Sequence, residues 1–149
     1  MGVVAKDKDA DSYTGIKFPL EHSNEGFFPR TKTSLEQAKY NIKNLLLTQK
    51  SERLGNPLFG SDLYKVLFEQ EGGDLENRIE ETIRSAMSEW LPFINVENVE
   101  STFSSTNKNA INVRIKFTLN IDTTSQEELS LNLGNYSDDE TSFALDYNA

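Results

Sequence analysis

Ile111-Asn112-Val113-Arg114-Ile115-Lys116-Phe117-Thr118-Leu119-Asn120-Ile121 alternates apolar and polar residues without a break. A strand sends successive side chains to opposite faces. This period of two therefore predicts a strand within 110–121, with one dry and one wet face. Weaker alternation flanks it. Val99, Ser101 and Phe103 precede it, and the polar stretch 104–109 reads as the turn of a hairpin. Leu129, Leu131 and Leu133 follow, predicting a last, short strand over 128–133. Three consecutive strands joined by short turns form an antiparallel meander.

Upstream the period changes to that of a helix. Leu75, Ile79, Ile83, Ala86, Met87 and Trp90 recur at spacings of three and four. Asp74 is placed to cap this helix, and Pro92 ends it by disfavouring the α conformation at Leu91. Before it, Leu63, Val66 and Leu67 form the buried side of a short helix. Ser61 or Asp62 is its cap and Gly72-Gly73 its stop. Earlier still, Ser34 and Gln37 fit a capping box. Leu35, Ala38, Ile42, Leu45 and Leu46 then make an apolar stripe, with Glu36, Lys39, Lys43 and Asn44 opposite. That helix is expected to end near Lys50. Helices followed by strands mean α+β: three N-terminal helices packed on one face of a small antiparallel three-stranded meander. The expected organisation is an irregular N-terminal arm (1–32), a single α+β domain (33–133) and an acidic C-terminal tail (134–149).

Within the arm, Gly15, Pro19, Gly26 and Pro29 interrupt any helix. Tyr13, Phe18, Phe27 and Phe28 are too many aromatics for a pure linker. The arm is expected to dock, on its own domain or on a neighbour. In the tail, Asp138, Asp139, Glu140 and Asp146 stand without any Lys or Arg, among Tyr136, Phe143, Leu145 and Tyr147. It reads either as a solvated terminus or as a segment that orders on a partner.

The 149 residues carry 24 acidic and 15 basic side chains, a net charge of −9. That balance argues against nucleic acid as a partner, because phosphates demand clustered Lys and Arg. No apolar run approaches the roughly 18 residues of a membrane span, and the N-terminus has no long apolar signal region. No membrane partner is expected. With no cysteine and one histidine, His22, thiolate metal sites and most zinc sites are excluded. No cofactor and no metal are expected.

Chemistry has few candidates. Glycoside hydrolysis needs two carboxylates roughly 5 to 9.5 Å apart, one with a raised pKa. Glu52, Asp62 and Glu69 lie near the central loop and are the pairings to weigh. Against them, Asp62 is explained as a helix cap and Glu52 as a loop hydrogen-bonder. The sheet poses a different question. Its outer edges present unpaired backbone groups. These edges are either protected by short length and by Glu127 and Glu128, or kept open for an added strand.

The stretch 44–63, with Leu45, Leu46, Thr48, Arg53, Pro57, Phe59, Gly60, Ser61, Asp62 and Leu63, followed by Phe68-Glu69, resembles the baseplate-wedge proteins of contractile phage tails and their type VI secretion counterparts. The resemblance runs to about Gly134 and leaves out the arm and the tail. It implies a non-enzymatic virion protein of the tail baseplate, assembled in the host cytoplasm. Its partners would be other wedge subunits and the tail sheath protein. Arg53, Pro57, Phe59, Gly60 and Asp62 would shape the loop, with Phe59 buried under the helices and Gly60 at a positive φ. The family usually carries Glu-Pro-Arg after the third helix as a wedge-core anchor. Here Trp90 is followed by Leu91-Pro92-Phe93-Ile94, so contact there is apolar or made by other residues. The family's sheet accepts arms of the first sheath ring. That implies a sheath-strand contact at Glu128, Leu129, Leu131 and Leu133, with the chain nucleating sheath polymerisation. The alternative is a tail-associated muramidase built on Glu52 and Glu69.

Overall fold

The computed structural model describes residues 13–18, 20–24, 27–68, 74–103 and 111–133. Two short strands, β1 (Gly15–Ile16) and β2 (Arg30–Thr31), pair antiparallel within the segment read as irregular. Two-residue strands are too short to show a period, so the sequence carried no sign of them. The pair rests on the first helix: Thr31 is fully buried and its hydroxyl donates to Gln37 Oε1 at 2.6 Å, while Lys17 pairs with Glu36 at 2.6 Å.

Helix α1 (Ser34–Leu47) is capped one residue earlier than its sequence suggests. Thr33 Oγ1 accepts from the Glu36 N–H at 3.1 Å, and the Glu36 carboxylate accepts from the Lys32 N–H at 3.2 Å. Gln37 is thereby free to hold Thr31. The helix stops at Leu47, short of Lys50, because Thr48 turns extended and its hydroxyl donates to the Asn44 carbonyl at 2.6 Å. Lys43, expected on the polar face, is only 7% exposed, and its Nζ has no hydrogen-bond partner among the described residues.

At α2 (Leu63–Phe68) both candidate caps contribute. Ser61 Oγ accepts from the Leu63 N–H at 3.4 Å, and the Asp62 carbonyl accepts from the Val66 N–H at 3.2 Å. Gly72-Gly73 lies outside the described residues. Asp74 occupies the cap position of α3 (Leu75–Trp90), but its carboxylate takes the Asn77 amide rather than a backbone N–H. The helix closes on the Leu91 N–H, which donates to Met87 O at 2.8 Å.

Strands β3 (Ile94–Phe103), β4 (Ile111–Leu119) and β5 (Asp122–Leu133) form an antiparallel sheet in the order β3-β4-β5. The expected turn 104–109 lies outside the described residues, and Phe103 pairs with Ile111 across it. β4 ends at Leu119, and Ile121 is half exposed in the following turn. β5 begins at Asp122, not near Glu128, and runs for 12 residues. Its first half, Asp-Thr-Thr-Ser-Gln-Glu, buries nothing and so has no period to read. Asp122 anchors that turn by accepting from the hydroxyls and N–H groups of Thr124 and Ser125, which push its pKa down to about 2.

The chain is therefore α+β, with three helices, a three-stranded antiparallel sheet and an additional two-stranded one among the described residues. Val113, Ile115 and Phe117 from β4 join Ile42, Leu45, Leu63, Ile79, Ile83 and Met87 in one core. Each such side chain contributes about 1.5–3 kcal/mol when fully buried. The other face of the sheet is wet: Asn112 donates to Ser130 and Asn132, and Arg114 lies between Glu100 and Glu128.

Candidate functional site

The loop from Thr48 to Ser61 is held at its neck. Gln49 and Ser61 form an isolated parallel bridge, and the Ser61 N–H donates to Thr48 O at 2.9 Å. Inside, Ser51 takes a left-handed φ of 75°, and its N–H donates to Pro57 O at 2.7 Å. Gly60 has a φ of 124°, the positive value expected for it. A Cβ there would stand 2.5 Å from Thr48 O. Asp62 is gripped by Lys65 at 2.7 Å and Lys50 at 3.2 Å, which hold its carboxyl below the usual range, the Lys65 hydrogen bond first among them.

Phe59 is half buried rather than covered by the helices. Its ring stands edge-on to Trp90, with centroids 5.2 Å apart, while the Arg53 guanidinium lies 4.1 Å over it. Arg53 also donates to Asn44 Oδ1 at 3.1 Å. This stack joins the loop to the end of α3, two regions far apart in sequence. Pro57 is exposed, as are the loop-tip residues Leu54 and Leu58.

The segment after α3 divides. Leu91 and Ile94 are buried in the chain's own core, so their side chains do not face outward. Pro92 and Phe93 are exposed, and Trp90 is half buried with an Nε1 that has no acceptor among the described residues. Asn120 fixes the turn by donating its side chain to Pro92 O at 3.1 Å and its N–H to Phe93 O at 3.0 Å.

The two edges of the sheet are unlike. On β3, Arg84 from α3 donates to the carbonyls of Val96 at 2.8 Å and Glu97 at 3.4 Å, where the ladder with β4 shifts register. Glu80 holds Arg84 in place at 2.8 Å. No described strand lies beside β5. The ladder also fixes which of its backbone groups point outward. The Asn120 N–H reaches Phe93, and the Thr102 hydroxyl reaches the Asn112 carbonyl. Even-numbered residues of β4 thus point their backbone groups at β3, and odd-numbered ones at β5. Opposite residues of an antiparallel ladder either exchange both backbone hydrogen bonds or both turn their backbone groups away. Leu129, Leu131 and Leu133, opposite Ile115, Val113 and Ile111, therefore use their backbone on β4 and their buried side chains on the core. Their side chains and ladder positions are thus engaged within the domain. The outward backbone belongs to Glu128, Ser130 and Asn132. The sequence reading missed the last two, and it missed Arg84, because ladder polarity and a contact made through the tertiary fold leave no periodic trace.

Among the described residues, Glu52 and Asp62 do not form an acid pair. Glu52 is exposed and accepts from the Gln49 N–H at 2.9 Å. Asp62 lines a polar groove of about 280 Å³ with Lys50, Arg78 and Glu81, but its lysines favour the charged form. A general acid needs the opposite shift. Glu69 lies outside the described residues.

Residues 33–124 match the family described as "Baseplate wedge protein gp25". In fold the chain is similar to a Geobacter sulfurreducens protein provisionally called a tail lysozyme, with a TM-score of 0.61 and 20% identity over 68% of this chain and 91% of that one. It is similar to a chain of the anti-feeding prophage baseplate, with a TM-score of 0.62 and 18% identity over 70% and 83% of the two chains. It also resembles a chain of the type VI secretion system baseplate complex, with a TM-score of 0.55 and 13% identity over 66% and 90%. Among curated proteins the sequence has no match.

Proposed function

Because this chain belongs to the baseplate wedge protein family, we propose that it is a structural subunit that anchors to the wedge core and nucleates sheath polymerisation by strand addition at the outer edge of β5. Its place is the tail baseplate of a virion assembled in the host cytoplasm, among other wedge subunits and the sheath protein. The inequality of the two sheet edges carries this reading. A soluble protein usually guards both edges. Here Arg84 occupies the β3 edge, while Glu128, Ser130 and Asn132 turn backbone groups outward from β5, where no described strand pairs with them. The leucines of β5 set the register from within. Trp90, Pro92 and Phe93 face the wedge core, and Leu91 and Ile94 fasten them to the domain. Arg53, Pro57, Phe59, Gly60 and Asp62 give the neighbouring loop its shape.

The test mixes wedges carrying this subunit with the cognate sheath protein and follows sheath growth by electron microscopy. Ser130→Pro removes an outward N–H and leaves the inner ladder intact. Circular dichroism checks that it folds. Wild-type wedges seed sheath, and the folded variant does not. Equal seeding by both would move the sheath contact away from β5. The subunit is read as non-catalytic. Peptidoglycan turnover by the pure protein, abolished in Glu52→Gln, would replace that reading with a muramidase.

A further inference from the structure

Six of the twelve exposed large apolar side chains among the described residues lie between Tyr13 and Phe28. The β1–β2 pair explains why. Gly15 and Thr31 oppose one another and face α1: Thr31 is fully buried, and a Cβ on Gly15 would run into the Gln37 side chain. The next pair, Ile16 and Arg30, must then face away from the domain. The Arg30 guanidinium lies 3.6 Å over the Tyr13 ring, and Lys32 Nζ is 5.9 Å from it. Phe18 and Phe28, two residues along each chain from Ile16 and Arg30, are exposed as well. The result is an apolar face bearing two cations. No carboxylate among the described residues pairs with Arg30 or Lys32, whereas Lys17 is matched by Glu36.

In a chain of net charge −9, such a face suits an occupant that is both acidic and apolar. The chain contains one. Residues 134–149 hold four carboxylates, no Lys or Arg, and Tyr136, Phe143, Leu145 and Tyr147 between them. This stretch follows β5 in sequence, directly after Leu133. At about 3.3–3.6 Å per residue, its extended reach of roughly 55 Å exceeds the span of a domain whose radius of gyration is about 13 Å. Tethering gives it an effective concentration on the order of a millimolar, so even a weak contact is well populated. We propose that residues 134–149 dock in cis on the outward face of the β1–β2 pair, with carboxylates on Arg30 and Lys32 and aromatic side chains on Ile16, Phe18 and Phe28. This inference does not depend on the sheath reading.

The absence of cysteine allows a clean test on the full chain. Asn148→Cys carries a nitroxide, and paramagnetic broadening is read at the backbone amides by NMR. The amides of Ile16, Phe18, Phe28 and Arg30 are expected to broaden and to recover when the nitroxide is reduced. The broadening should fall several-fold in Arg30→Glu/Lys32→Glu, and in about 1 M salt, where the Debye length is about 3 Å. Unchanged shifts at Val113 and Ile115 show that the variant is folded. If it is not, Arg30→Gln/Lys32→Gln takes its place. Three results overturn the proposal: arm amides that never broaden, broadening that survives loss of both cations, and broadening that appears only between a labelled copy and a separate isotope-enriched copy. The last would assign the face to a second molecule.

Discussion

Replacing Gly60 with alanine tests whether the loop neck is built around a missing side chain. At a φ of 124° an L-residue is strained whatever the space around it, at a cost of about 1–3 kcal/mol. Space is also lacking: the new Cβ would meet Thr48 O at 2.5 Å and Gln49 C at 2.9 Å. Both are backbone atoms, and Thr48 O is the acceptor for the Ser61 N–H. Relief of the clash therefore weakens that bond, worth about 1 kcal/mol. Stiffening of the unfolded chain returns about 0.4–1 kcal/mol. The net expectation is a loss of about 2–3 kcal/mol. With a urea slope of about 1–3 kcal/mol per molar, the midpoint falls by about 0.7–3 M. The single tryptophan, Trp90, reports the transition and touches the loop through Phe59. Gly55→Ala is the control, because nothing stands within 4 Å of its missing Cβ. It should stay within about 0.5 kcal/mol of wild type or gain slightly. If the two variants unfold at the same urea concentration, the neck does not require glycine and the steric reasoning is wrong.

Phe59→Ala should lose about 2–3 kcal/mol in urea, below the 3–5 of a fully buried phenylalanine, and shift Trp90 emission to the red; unchanged melting would show that the stack contributes nothing. Lys43→Met should stabilise the protein by about 1 kcal/mol at pH 7, because it removes a buried ammonium that has no acceptor among the described residues. Burial holds the Lys43 pKa below its ordinary 10.5, opposed by the charge of Glu21, so the unfolded chain binds that proton more tightly. Wild-type stability must then rise with pH through the lowered pKa toward 10.5, and equal slopes in wild type and Lys43→Met would remove that account. Arg84→Ala should lose about 1–2 kcal/mol and self-associate in sedimentation velocity through the bared β3 edge; a monomer at all concentrations would show that Arg84 guards nothing.

The elements that bury one face were legible. The alternation in β4 and the three- and four-residue spacings in α1 and α3 follow from side chains sorted by the core, and Pro92 marks a stop that backbone sterics enforce. Where neither face is buried, the pattern fails. The first half of β5 is polar throughout and was left out of its strand. β1 and β2 are too short for any period. Lys43 illustrates the opposite failure. Its residue type places it in solvent, and only the packing of the arm and helices explains its burial. The candidate site was legible as residues and not as geometry. Arg53, Phe59 and Trp90 were each singled out, yet their stacking depends on how the loop folds back. Leu129, Leu131 and Leu133 were named as contacts from the family resemblance, and their own alternation turns their side chains inward.

The closed neck at Thr48, Gly60 and Ser61 has an effect on how this surface can change over generations. It fixes the two ends of the loop, while Leu54 is fully exposed and Leu58 is 71% exposed at the tip. Closing a loop twice as long raises the entropic penalty by only about 0.6 kcal/mol, and replacing an exposed tip residue changes stability little. Folding thus exerts almost no selection on the tip. Its sequence can therefore diverge between lineages while the scaffold beneath stays the same.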